Sequence, residues 1–202
     1  MITTAQTALL LGIILVSWTD FVATKTDSGS KIEYTVDAQL KFPEHYREWV
    51  YLTSGFDMSY SPTAMQMDHH MFDNVFVNPE AYKTFVATGT WPDKTILVIE
   101  ARRAEGKGSI NQKGNFQGEI MGFEAHVKDE ARFPGKWAFF GFGEAKTAKM
   151  IPTTAACYSC HESHAAVDTT FVQFYPTLLP IAKSRNTLAP AYLKETETTA
   201  HK

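Results

Sequence analysis

Cysteine is nearly absent from this chain, with only Cys157 and Cys160 in 202 residues. Because there is no second cysteine pair, the ligand set of a structural zinc site is incomplete. Basic runs are also missing. The densest basic spot is "ARR" at 101–103, and 19 lysines and arginines against 22 acidic residues give a net charge of −3. That balance carries no nucleic-acid footprint, and no nucleic-acid partner is expected. No apolar run reaches the ~20 residues of a spanning helix; Ala8 to Trp18 is apolar apart from Ser17 and stops there. Two further absences matter for chemistry. No methionine follows His161, and no lysine occurs between residues 95 and 106.

The chain does have enough apolar residues to build a core, at 44% hydrophobic with 14 phenylalanines. One main domain is expected. Residues 1–23 have the length of a signal-peptide apolar region, although no Lys or Arg precedes it and "FVA" at 21–23 is a poor cleavage site. We read residues 1–23 as an export segment leading to the periplasm. An uncleaved membrane anchor over 8–18 and a helix packed on the domain are the alternatives. Residues 24–40 form a polar, turn-rich linker, 41–185 the domain, and 186–202 a polar, frayed tail.

Within the domain, period-two and β-branched stretches predict strands at "WVYLT", "FDNVFVN" (72–78), "KTILVIEARR" (94–103), "EIMGFEAHVKD" (119–129) and "GKWAFFGFGE" (135–144). "PEAYKTFVATG" (79–89) reads as a helix with Gly89 as its cap, and residues 57–71 and 104–118 read as loops. Helix returns around the cysteines and continues through "FVQFYPTLLPIAKSRN", interrupted by Pro176 and Pro180. The expected fold class is α+β, mainly an antiparallel sheet of about four or five strands with helices at both ends.

"CYSCH" (157–161) is the C-x-x-C-H attachment motif of a c-type haem. Each thiol can add to a haem vinyl group, and the histidine after the second cysteine is then held under the iron as its proximal ligand. A thioredoxin-like redox pair would need a βαβ setting near the start of the domain. A disulfide across two residues would leave His161 unexplained. The expected cofactor is therefore one haem c, held through Cys157 and Cys160, with His161 as the metal ligand.

An electron carrier needs a sixth ligand, which here must come from upstream: Met58, Met65, Met67, His69, His70, Met71, Met121, His126 or Met150. His164 lies three residues past His161 and cannot reach the opposite face of the iron. Five-coordinate iron with an open distal pocket is the simpler expectation. The Met/His cluster "MQMDHHM" (65–71) has the soft donors that suit copper, or is a solvated loop.

The order of "YREWV" (46–50), "VFVNPEAY" (75–82), "GFEAHVKD" (122–129), "KWAFF" (136–140), "CYSCH" and "FVQFYPTL" (171–178) resembles the cytochrome P-460 family, over roughly residues 42 to 182. The resemblance implies a mainly β domain with the haem packed between the sheet and the C-terminal CxxCH helix. It implies either of two activities. The P-460 cytochromes oxidise hydroxylamine and carry a lysine bonded to the haem ring. The cytochromes c-prime-beta lack that bond, have an apolar distal pocket crowded by phenylalanine, and bind nitric oxide and carbon monoxide.

On this alignment the cross-linking lysine falls on Ile99, and an arginine of the P-460 cytochromes falls on Asp73. Both departures point to the c-prime-beta branch. The distal carboxylate survives as Glu124, a candidate general base on an N–H or O–H bond of a ligand. Ile99, Asp73 and Phe140 are expected to face the haem, Phe140 as an aromatic cap. The expected partners are a small gaseous or nitrogenous ligand (nitric oxide, carbon monoxide or hydroxylamine), a redox-partner cytochrome, and a second copy in a homodimer. Hydroxylamine or nitric oxide oxidation is the alternative activity, and electron transfer the further one.

Overall fold

The computed structural model describes residues 31–60 and 69–200. The export segment, and Met65 and Met67 of the Met/His cluster, lie outside these residues. In chain order the elements are β1 (Leu40–Lys41), β2 (Val50–Phe56), β3 (Met71–Val77), α1 (Pro79–Thr88), β4 (Ile96–Glu105), β5 (Phe116–Lys128), β6 (Trp137–Gly143) and β7 (Thr147–Ala148). The helices α2 (Ala156–His164), α3 (Leu179–Ser184) and α4 (Pro190–Ala200) follow. This is the α+β arrangement expected from the sequence pattern. Among the described residues no helix is long and apolar enough to cross a membrane.

Strands β2 to β6 form one antiparallel sheet in the order β2-β3-β4-β5-β6, so each strand pairs with its neighbour in sequence. The run "ILV" of β4 is buried without alternation because both faces of the sheet are covered at that point. On one face, Ile96, Val98, Ala125, Val127, Phe140 and Phe142 pack under the N-terminal segment through Leu40, Tyr46 and Trp49. On the other, Val75, Val77 and Leu97 pack with Phe85 and Ala81 of α1 and with Val172, Leu178 and Ala182 near the C-terminus. Helix α1 begins with a proline in its first turn and ends at Gly89, whose φ of 81° is the left-handed value that glycine adopts freely. Its Phe85 packs on Trp91 with tilted rings whose centroids are 4.3 Å apart, and burying a side chain of that size contributes about 1.5–3 kcal/mol.

Two features differ from the sequence reading. Residues 190–200, expected as a frayed tail, form α4. Pro190 starts the helix, the Ala189 N–H donates to the Ala166 carbonyl at 2.8 Å, and Glu195 pairs with His164 of α2 at 3.1 Å. Tyr192 also packs against the core, so a polar surface sequence is ordered by contacts with α2 and the loop after it. Pro180, expected to interrupt a helix, sits in the first turn of α3, where its missing N–H has no helical partner to lose.

Candidate functional site

Period-two alternation puts every second side chain of the sheet on the face opposite the N-terminal packing. The register sets Ile99 beside Val75 on one side and Glu124 on the other, and sets His126 beside Phe139. These residues, with Asp73, line one wall of a cavity of about 680 Å³. The volume falls within the range typical of small-molecule and cofactor sites. Near Glu124 the β5–β6 register slips between Phe123 and Glu124, a bulge of the kind that re-aims side chains beside functional sites. Across from Glu124 stands Gly141, where an added Cβ would meet nothing within 4 Å. A side chain there would therefore project into space the backbone has left open.

The opposite wall includes α2 and the chain after it. Cys157 and His161 stand four residues apart, hence on one helix face, and both line the cavity. Cys160 is half-buried, and neither thiol is in a disulfide. His161 is buried and caged by aromatic rings. Phe171 stacks on it at 4.2 Å between centroids, and Phe139 lies at 4.6 Å. Its Nδ1 lies 2.8 Å from the Thr169 carbonyl oxygen. A carbonyl can only accept, so Nδ1 carries the proton and Nε2 keeps its lone pair. Burial moves the His161 pKa down, against the smaller upward pull of that hydrogen bond, so the ring is held neutral as a metal ligand requires.

These observations fit a c-type haem. The cavity is large enough, its glycine-floored strand leaves room, the Cys157 thiol lines it with Cys160 three residues on along the same helix, and a neutral histidine of fixed tautomer faces it. Cys157 and Cys160 would hold the haem, and His161 would hold its iron.

The cavity lining is mixed in character: Phe123, Phe139, Phe171 and Phe174 belong to it, as the c-prime-beta resemblance implies, and polar groups stand among them. Ile99 and Val75 are apolar, but Asp73, Glu124 and His126 are not. Burial among the cavity walls, and then the Asp73 charge, push the Glu124 carboxyl above the usual carboxylate range, and burial does the same to Asp73. His126 is driven down to about 3 by burial and then by the neighbouring His161, so it is neutral near pH 7. Its Nε2 lies 4.0 Å from Glu124 Oε2.

Of the candidate sixth ligands, Met58, Met71 and His126 line the cavity, and Met121, Met150 and His70 do not. His126 cannot serve without moving. Two imidazoles on opposite sides of one metal, each with a nitrogen at about 2.0–2.1 Å, need ring centroids about 6 Å apart. The His126 and His161 centroids are 5.0 Å apart and the rings meet edge to face, so they stand side by side. Among the described residues no cluster of three or more His, Cys, Asp and Glu side chains is placed to hold a metal ion on its own. His70 instead pairs with Asp57 at 2.5 Å.

Asp73, Ile99 and Glu124 thus line the same cavity as Cys157 and His161. Phe140, expected as a cap, does not. It is 1% exposed on the other face, 6.2 Å from Phe133 and bridged to Met150. The register pairs Phe139, not Phe140, with His126, and one residue of offset along a strand reverses the face. Lys94, the nearest upstream lysine, lies before β4 in a turn at φ 63° and pairs with Asp129. Sequence reading also missed Phe171, although it lies in the quoted "FVQFYPTL" block, and the Thr169 carbonyl, for which a backbone atom leaves no residue-type signal.

The Cytochrome P460 family model matches residues 43–172, which include every strand of the sheet and the whole of α2. No curated protein matches the chain. The chain belongs to the cytochrome P460 family, and membership implies a c-type haem.

Proposed function

We propose that this cytochrome P460 family member is an exported c-type haem protein that binds a small nitrogen–oxygen ligand, nitric oxide above all, at an open iron site. One observation carries the reading. His161 has its Nδ1 committed to Thr169, and the other histidine in the cavity stands beside it, not across from it. The haem would supply an iron with one free coordination position and a one-electron redox change. The chain's own residues do the rest. Cys157 and Cys160 would fix the group, His161 would ligate its iron, and Ile99 with Val75 would keep water from part of the cavity. Ile99 also stands where the hydroxylamine-oxidising relatives carry their lysine, and its side chain has no nucleophile to bond the haem ring.

A second reading, oxidation of hydroxylamine or nitric oxide, is favoured by Glu124. Its raised pKa places it closer to neutrality, where a general base works best, and an N–H or O–H proton of a ligand in the cavity would have a carboxylate to receive it. Two measurements on the holoprotein separate the readings. Stopped-flow mixing of the ferrous protein with nitric oxide is expected to give saturable binding. Incubation with hydroxylamine and an artificial electron acceptor is expected to give no turnover. Turnover that disappears in Glu124→Gln, together with a ferrous Soret band displaced well to the red, would overturn the binding assignment in favour of the enzyme.

A further inference from the structure

The peptide that presents the Thr169 carbonyl is in an unusual conformation. Asp168 (φ 49°) and Thr169 (φ 59°) are consecutive residues in the left-handed region, which side-chain-bearing residues avoid. Such a turn persists only where its surroundings hold it. Two side chains from distant parts of the chain do so. Lys128, at the end of β5, donates from Nζ to Asp168 Oδ2 at 2.5 Å and to the Trp91 carbonyl at 2.7 Å. The Trp91 indole N–H donates to the Thr170 hydroxyl at 2.7 Å, and that hydroxyl donates to the Val167 carbonyl at 2.7 Å. The Lys128 side chain is only 7% exposed. None of Lys128, Trp91, Asp168 and Thr170 lines the cavity, so ligand binding at the open site does not use them.

We propose that Lys128 is a positioning residue for His161. By holding Asp168 it fixes the 168–169 turn, and the turn aims the Thr169 carbonyl at His161 Nδ1. A partner that accepts a proton from the remote ring nitrogen fixes the ring and makes the coordinating nitrogen a stronger donor. Lys128 therefore tunes the bond between His161 and a bound iron from outside the cavity. The inference rests on the reading of His161 as the iron ligand.

Resonance Raman spectra and midpoint potentials of the haem-loaded protein test it, with thermal melting run alongside as a check on folding. Lys128→Met is expected to move the iron–histidine stretching band to lower frequency and to raise the midpoint potential, because the imidazole becomes the weaker donor. Asp168→Asn, which keeps the shape of the side chain, is expected to give a smaller shift of the same sign. Folded Lys128→Met with a lower melting temperature but an unmoved band and potential would overturn the proposal, since it would assign Lys128 a purely structural role. If Lys128→Met does not fold, an unmoved band in Asp168→Asn would overturn it equally. Absence of an iron–histidine band in the unmodified protein would instead overturn the assignment of His161, so the two failures are distinct.

Discussion

Glu100 and Glu124 stand on neighbouring strands of one sheet, face opposite sides, and meet opposite surroundings. Glu100 is 1% exposed and receives hydrogen bonds from the Tyr46 hydroxyl, from Arg47, from Asn74 Nδ2 at 3.2 Å and from Arg102 Nε at 2.6 Å. Burial alone would raise its pKa, but the Arg102 and Tyr46 bonds and the two guanidinium charges outweigh burial and lower it. Glu124 lines the cavity, with the neutral His126 ring 4.0 Å away. Its pKa moves up. The face toward the N-terminus uses its carboxylate to complete a packed layer. The face toward α2 leaves its carboxylate without a cationic partner, beside Asp73 and an open volume.

The largest expected effect falls on the structural face. Glu100→Ala strips the buried network of its only carboxylate, and breaking such a network by removing one partner costs about 3–5 kcal/mol. Guanidinium unfolding checks this, and a loss below about 1 kcal/mol would break the contrast between the faces. Next is Phe140→Leu, expected to cost about 1–3 kcal/mol through the space it leaves in the packed layer, with the ligand affinity of the holoprotein unchanged. Phe139→Leu, touching the rings of His161 and His126, should do the reverse and move the haem spectrum more than the unfolding midpoint.

Acid titration of stability separates the two glutamates by sign. A carboxylate with a lowered folded pKa stabilises fully above its unfolded value, near 4.3 for glutamate, and loses that contribution as pH falls through the folded value. Glu100→Gln should therefore flatten the fall in stability below about pH 4.3. The raised pKa of Glu124 has the opposite sign, since its folded state favours the protonated form and stability declines as pH rises from the unfolded toward the folded value. Urea midpoints across the acid range read both slopes. The smallest effect is that of Glu124→Gln at neutral pH, within about 0.5 kcal/mol of the parent. Any change it makes should appear in ligand kinetics and not in the unfolding curve.

How much of this was legible in the sequence depended on whether a feature is written in residue types. The strands were, because "TILVIEARR" and "GFEAHVKD" carry β-branched residues and alternation between turn signals. The haem motif was, because C-x-x-C-H is a spacing of reactive groups. The alignment pointed Ile99 and Asp73 into one pocket, and both line the cavity, with Phe76 packed on the other face. It failed at "KWAFFGFG", where two adjacent phenylalanines leave the face undecided until His126 pairs with Phe139. Helix α4 was missed because its residues are polar and its order comes from Tyr192 and the His164–Glu195 pair, which are tertiary contacts. The Thr169 carbonyl was beyond reach for the same reason. It depends on a turn held by Lys128 and Trp91, 40 and more residues upstream of it.

The central claim is that the α2-facing side of the sheet holds iron on His161 alone, with the other side of the metal open. The ferrous absorption spectrum of the holoprotein, recorded before and after carbon monoxide is added, tests this most directly. The account predicts a five-coordinate, high-spin spectrum that carbon monoxide converts completely to a six-coordinate one. A six-coordinate, low-spin ferrous spectrum that carbon monoxide leaves unchanged would contradict it, and would point to a sixth ligand from the cavity wall, with Met58 and Met71 the first to replace.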